Sequence, residues 1–290
     1  MSNADLPGGN ARDGRSLRQR TRTVVPYLAL GLFVLWTVVP IAWMLLSSLK
    51  LRTNMFQMPP KLFFDPTLKY YRALLFGANP LTKYLVNSAI VSVSAAFVAV
   101  SLGTLGGYGL SRIDVSGKKH LAFWIISTRM APIAVVIVPL YFVYNYVGLL
   151  NTRVGLIIAY TTFNLPFAIW LMRSFFDEIP RELEDAARID GATRWQAFRK
   201  VALPLVLPGM GATAIISIVF SWNDFLFALI FTNNQTQTIP VAAAQLITQT
   251  GTLWGQVMAI GVVILAPMVA FGMIVKNYLV SGLTMGAMKQ

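Results

Sequence analysis

Six stretches of this chain, at 24–46, 86–110, 121–147, 154–171, 207–231 and 257–280, are apolar and of roughly the length that crosses a bilayer as a helix. Backbone amides have no water to bond to in a hydrocarbon layer, so runs of this length are expected as helices, and the fold class is an all-α polytopic membrane protein with six transmembrane helices. Composition agrees. Apolar residues make up 56% of the sequence and charged ones 12%, against roughly a quarter charged in a soluble domain. The first run is too long for a secretory signal core and has no small-residue cleavage site after it, so it reads as a retained helix.

The net charge of +13 raises nucleic acid as a partner, but no lysine-rich block with interleaved aromatics is present; the basic residues flank the apolar runs instead. Their distribution orients the chain. With the N-terminus inside, sixteen Lys and Arg fall on inner segments and seven on outer ones, six of those seven in the first outer loop. Basic residues accumulate on the cytoplasmic side, so both termini are placed inside. On this reading residues 1–23 are a basic, disordered cytoplasmic tail, 24–280 the six-helix transmembrane domain with a cytoplasmic loop at 175–205, and 281–290 a C-terminal cytoplasmic tail. The chain has no cysteine and a single histidine, His120, which excludes disulfides and the common thiolate and His/Cys metal sites. No catalytic constellation and no metal site is read from it.

In the second run Ala95, Ala99, Gly103 and Gly107 recur every four residues, a face on which helix backbones approach closely. It reads as a packing face rather than a pore lining. Of only 11 acids, Asp177, Glu178, Glu182, Glu184, Asp185 and Asp190 gather in or just before the loop between the fourth and fifth runs. Pro180 suits a first helical turn, and Glu182, Glu184 and Asp185 follow near the positive end of the helix dipole. Ile179, Leu183, Ala186 and Ala187 share a face, and Gly191 fits the left-handed position that ends such a helix. Thr193 and Gln196 then form a capping-box pattern opening a second short helix, with Trp195, Phe198 and Ala202 on one face. Two amphipathic helices joined by a sharp break read as a docking element for a protein partner.

The spacing within this loop resembles a known signature. Permeases of ABC importers carry Glu-Ala-Ala, three residues, Gly, nine residues, Ile, any residue, Leu-Pro; here Asp185-Ala186-Ala187, Gly191, Val201 and Leu203-Pro204 stand at the same spacing, with Asp for Glu and Val for Ile. The flanking "RELEDAARIDGATRWQAFRKVALPLVLPG", "YLVNS" at 84–88, "SWNDFLFAL" at 221–229 and the terminal "GLTMGAMK" are similar to the carbohydrate branch, the maltose-type binding-protein-dependent permeases. The resemblance implies a type I ABC importer permease fold in a bacterial inner membrane, N-in and C-in. It also implies a second homologous permease subunit, two cytoplasmic ABC ATPase subunits, an extracytoplasmic solute-binding protein and membrane lipid as partners. ATP and magnesium would then be bound by the ATPases and no cofactor by this chain, which has no phosphate-binding G-x-x-x-x-G-K-[ST] loop.

By the same resemblance Glu184, Asp185, Ala186, Ala187, Gly191 and Ala192 would form the ATPase-coupling elbow, and Leu203 and Pro204 would fix its exit into the fifth span. The loop's acids have two sets of partners open to them, basic residues of the ATPase or Arg181 and Arg188 within the loop.

Within the spans, Arg129, Asn223 and Asp224 are candidates for the solute path, since charges at that depth face a protein interior or a water route. The structural alternative for Asn223 and Asp224 is to cap a bent helix or to bond between helices. Arg129 has three possible destinations: the partner subunit, a lipid headgroup, or an anionic solute. Depths of about 12 and 25 Å make a direct Arg129–Asp224 pair unexpected. Two outer segments, "LKYYRALLF" at 68–76 and "IPVAAAQLI" at 239–247, are expected as short surface helices. The rival function is an ion-gradient-driven secondary transporter, but neither inverted repeats nor paired interrupted helices are visible.

Overall fold

The computed structural model describes the backbone of residues 13–77, 80–114, 116–248 and 251–287, and the side chains among these between 25 and 274 apart from 248. The chain is helical nearly throughout. Helix α1 (Asp13–Ser48) is followed by two short helices, α2 (Arg52–Met55) and α3 (Lys69–Phe76), the latter the surface helix expected at 68–76. The long helix α4 (Thr82–Arg112) leads to α5 (Lys118–Ser127), which ends in a 3-10 turn, Thr128–Met130, before α6 (Ile133–Tyr146). Next come α7 (Arg153–Asp177), the loop helices α8 (Glu182–Ile189) and α9 (Arg194–Ala197), a π-helical turn Phe198–Ala202, and α10 (Leu203–Asn223). The chain closes with α11 (Leu226–Phe231), α12 (Ile239–Ala244), a two-residue hairpin pairing Ile247 with Thr252, and α13 (Trp254–Ala287).

Among the described residues five helices are long and apolar enough to cross a membrane: Val25–Ser48, Thr82–Arg112, Arg153–Asp177, Arg194–Asn223 and Trp254–Ile274. The run expected as one straight span at 121–147 is instead two helices, Lys118–Met130 and Ile133–Tyr146, meeting at 89°. Pro132 is the cause. The residue before a proline is driven out of the α region, and Ala131 is extended at φ −62° and ψ 130°. The run at 207–231 also divides, at Asp224 (φ −67°, ψ 133°), between α10 and α11. At the chain's ends, α1 takes in residues 13–23 of the expected tail and α13 takes in 281–287; residues 1–12 and 288–290 lie outside the described residues.

Packing is organised by α4 and α7, which lie against one another along most of their length. The small-residue face explains how. Ala95 and Ala99 are fully buried, and a Cβ added at Gly103 would stand 2.6 Å from the Cβ of Ala168, one at Gly107 2.7 Å from the backbone nitrogen of Arg173. Close approach of this kind replaces the missing hydrophobic drive between helices in lipid. α10 packs across both α4 and α7, whereas α1 packs chiefly on α13 and leaves most of its apolar surface outward.

One end of the bundle is tied by polar groups that "YLVNS" supplies. Asn87, fully buried, donates through Nδ2 to the carbonyls of Gln235 and Gln237 at 2.9 and 3.0 Å and accepts from Arg153 Nε at 2.9 Å. Ser88 Oγ accepts from the backbone N–H of Ile239 at 2.9 Å. These bonds hold the 233–239 connection and α12 onto α4. The loop of interest is at the opposite end of α4.

Candidate functional site

The elbow of the acidic loop is set by backbone chemistry. Helix α8 ends in a complete Schellman turn: Ala192 N–H donates to Ala187 O at 3.0 Å and Gly191 N–H to Arg188 O at 3.1 Å, with Gly191 at φ +92°. Nothing lies within 4 Å of where a Gly191 Cβ would stand, so it is the conformation and not crowding that calls for glycine. Two residues on, Thr193 Oγ1 accepts from Gln196 N–H at 3.2 Å while Gln196 Oε1 accepts from Thr193 N–H at 2.8 Å, completing the expected capping box.

The helix that box opens is not a separate element. Arg194–Asn223 runs as one helix through the π turn, where Leu203 N–H reaches back five residues to Phe198 O. Pro204 is the physical reason. It offers no N–H and its ring crowds the preceding turn, and the wider π turn lets the helix pass through it without stopping. Leu203 and Pro204 thus lie within the helix that leads from the loop into α10.

What fastens the loop to the bundle is Glu184. It is the buried residue of α8, and its carboxylate accepts from Arg112 Nε at 2.6 Å and from Tyr108 Oη at 2.7 Å, both on the last turns of α4. Arg112 also donates to Ile179 O at 2.9 Å and to Ser111 Oγ at 3.1 Å, and Ser111 Oγ donates to Asp177 Oδ1 at 2.5 Å. Arg181 Nη2 and Lys118 Nζ both reach Ser111 O, at 2.7 and 3.0 Å. An ion pair buried this far is expensive to break one-sidedly, about 3–5 kcal/mol, because the survivor is left charged and unpaired.

Under this polar cluster lies an aromatic one. The Tyr108 ring meets Phe176 edge-on at 5.3 Å between centroids and Phe198 at 4.6 Å, over buried Met172, Ala202 and Val206, with Leu203 at the margin. Phe198 and Ala202 thus face the bundle, but Trp195, expected on the same face, is 59% exposed and stacks on Phe198 at 5.2 Å. Outward from α8 and α9 stand Leu183, Ile189 and Trp195, with Asp185 and Ala186 exposed and Ala187 and Ala192 half-buried. Ile189 is 86% exposed. A cleft of about 340 Å³ opens between this surface and the end of α4, bordered by Arg112, Arg181, Arg188, Arg194 and Trp195.

The loop's acids accordingly divide. Glu184 pairs within the chain, with Arg112 rather than with Arg181 or Arg188; Asp185 pairs with Arg188 at 3.2 Å, more than half exposed. Tyr108 and Arg112 belong to the candidate site through their bonds to Glu184, and the loop sequence does not announce them. Their signal lies elsewhere: a tyrosine and an arginine four apart at the end of an otherwise apolar helix put a donor pair on one face.

The candidates within the spans make separate polar contacts. Asp224 Oδ1 accepts from Phe227 N–H at 3.1 Å and Ala228 N–H at 3.4 Å, capping α11 across the break after α10. Asn223 Nδ2 donates to Val219 O at 2.8 Å and approaches Met268 Sδ at 3.3 Å. Arg129, in the 3-10 turn between α5 and α6, forms no ion pair with Asp224 among the described residues, and packs instead on the ring of Phe220, one turn before Asn223.

Over residues 99–285 the sequence matches the family of binding-protein-dependent transport system inner membrane components. The chain belongs to that family. Among relatives, it is 38% identical over 250 residues to a probable ABC transporter permease protein, y4oR, of Sinorhizobium fredii, spanning 86% of this chain and 90% of that one. It is 36% identical over 264 residues to the trehalose transport system permease protein SugB of Mycobacterium tuberculosis, spanning 89% and 94%. Its fold is similar to a crystal structure of a bacterial ABC transporter involved in import of the acidic polysaccharide alginate, with a TM-score of 0.74 at 23% identity, over 94% of this chain and 99% of that one. As a binding-protein-dependent inner membrane component, the chain is a multi-pass permease subunit of an ABC importer, and ATP is hydrolysed on separate subunits. Family membership decides between the importer and the ion-gradient alternative.

Proposed function

We propose that this permease carries a carbohydrate or related polyhydroxylated solute, and that the α8–α9 elbow is where its ATPase docks and drives it. Support for the solute class comes from the relative named for trehalose transport and from the likeness of "SWNDFLFAL" to the carbohydrate branch. In the assembly envisaged, the chain pairs with a second homologous permease, two ATPases carrying ATP and magnesium lie against the inner face, and a binding protein delivers solute outside. The bent pair α5–α6 counts as one span, making six, with both termini inside. The excess of basic residues on the inner segments supports that orientation.

The observation that carries the docking role is the Glu184–Arg112 pair under an outward surface of Leu183, Ile189 and Trp195. A loop that merely joined two spans would have no need of a buried ion pair on one side and large exposed apolar side chains on the other. In this proposal Asp185, Ala186, Ala187 and the turn at Gly191–Ala192 meet the ATPase. Glu184 faces inward and transmits the movement to α4, and Leu203 and Pro204 transmit it to α10.

Reconstitution of the permease pair with its ATPases and binding protein tests this. ATP-dependent uptake stimulated by the binding protein is expected. Gly191→Val should insert normally yet weaken ATPase association or uncouple hydrolysis from uptake. Normal solute-stimulated hydrolysis and uptake in Gly191→Val would remove the elbow from the mechanism, and uptake driven by an ion gradient without ATPases would remove the importer itself.

A further inference from the structure

Arg129 is a cation that has no counter-ion among the described residues. It lies in the turn where the third span breaks, and its guanidinium carbon sits 4.3 Å from the ring centre of Phe220, 4.8 Å from Phe163 and 5.0 Å from Phe167. Nη1 is buried with no hydrogen-bond partner among the described residues, and none of the ion pairs among them includes Arg129. The sequence has no acid from 115 to 176, and after Asp190 only Asp224, whose carboxylate is engaged in capping α11. Phe163 and Phe167 lie on α7 and Phe220 on α10, and Asn164 Nδ2 donates to Ser221 Oγ at 2.8 Å between those two helices, so the ring cage is itself held fixed. Non-helical backbone at membrane depth is tolerated where protein or a water-filled route surrounds it.

We propose that Arg129 is a specificity-determining residue that receives an anionic substituent of the solute: a carboxylate, sulfonate or phosphate carried on the sugar. The three rings position the guanidinium by cation–π attraction but neutralise none of its charge, and they cannot satisfy its N–H donors. An oxyanion does both, with two parallel N–H···O bonds that a planar guanidinium is shaped to make. The residue is only half-buried, which leaves it within reach of a ligand. A neutral sugar would leave the charge unmatched in a low-dielectric site, so the arrangement discriminates between acidic and neutral solutes. This inference rests on the importer reading above.

The test begins with the solute that the cognate binding protein carries out of its own cells, identified by mass spectrometry. A compound bearing one of these anionic groups is expected, and a neutral sugar overturns the proposal. That eluted solute, radiolabelled, is the probe for uptake into proteoliposomes holding the whole importer. Arg129→Gln is expected to raise its KM about tenfold or more, the loss of a charge-assisted contact. Arg129→Lys, which keeps the charge but loses the fork, is expected to fall between, and decides the matter alone if Arg129→Gln does not assemble; an unchanged KM in the variant that assembles overturns the assignment. Vesicles of phosphatidylcholine alone are compared with vesicles that also contain phosphatidylglycerol. A defect confined to the second, with KM unaltered, gives Arg129 to a lipid headgroup and defeats the proposal. Absence of ATP-driven uptake in the parent importer would instead mark failure of the importer reading.

Discussion

Arg112 Nε lies 2.6 Å from Glu184 Oε1, and neither side chain is more than a tenth exposed. Seventy-two residues separate them, so this bond joins the end of one span to the loop that follows the pair of spans after it. Glu184→Ala should destabilise the loop by about 3–5 kcal/mol by stranding Arg112, more than Tyr108→Phe, which removes one hydrogen bond to a charged group and should cost about 1.5–3 kcal/mol. Thermal unfolding of the detergent-solubilised importer, run as a double-mutant cycle with Arg112→Ala, measures the coupling. A coupling energy near zero would contradict the pairing.

Gly191 offers a sharper test than simple loss of function. Because the space around it is open and only φ is unusual, residues should be ranked by their tolerance of the left-handed region and not by their size. Gly191→Asn is expected to retain most ATP-driven uptake, whereas Gly191→Val should lose it at equal expression. Equal activity of the two would show that the turn is not needed.

At the α4–α7 seam the constraint is space. Gly103→Ala would bring its methyl against Ala168 and should cost about 1–3 kcal/mol by overpacking. Adding Ala168→Gly removes the side-chain part of the clash and should recover some of that loss, read as a partial return of the unfolding temperature.

Asn87 should govern the far end of α4. Asn87→Leu removes both bonds to the 235–237 carbonyls and the partner of Arg153, at about 1–3 kcal/mol for each buried group left unpaired. Amide exchange in residues 233–239 should accelerate while exchange in α8 stays as it was. A uniform increase across the chain would mean general unfolding and would take away the local role.

What the sequence shows on its face and what it hides follow from range. The Gly191 turn and the Thr193–Gln196 box are settled within a few residues of backbone, and both are legible from local spacing. The small-residue face at Ala95, Ala99, Gly103 and Gly107 is legible because its helical period is its own signal. Glu184's partner is not, since loop-local reasoning offers Arg181 and Arg188 while the fold delivers Arg112 from α4. The 89° bend escapes a hydropathy reading for a related reason: the apolar run continues across Pro132, and only the backbone preference of Ala131 records the change of direction.

The continuity of Arg194–Asn223 has a mechanical consequence. At about 1.5 Å per residue its 30 residues make a rod of about 45 Å. One tip carries Arg194 and exposed Trp195; the other stops at Asn223, against the Asp224 cap. A rod of that length tilted by about 5° about its midpoint moves each tip by about 2 Å, in opposite directions. The π turn lets the helix run through Pro204 unbroken, so that in the proposed assembly a push on α9 from the ATPase would arrive at the far tip of α10 as a pull.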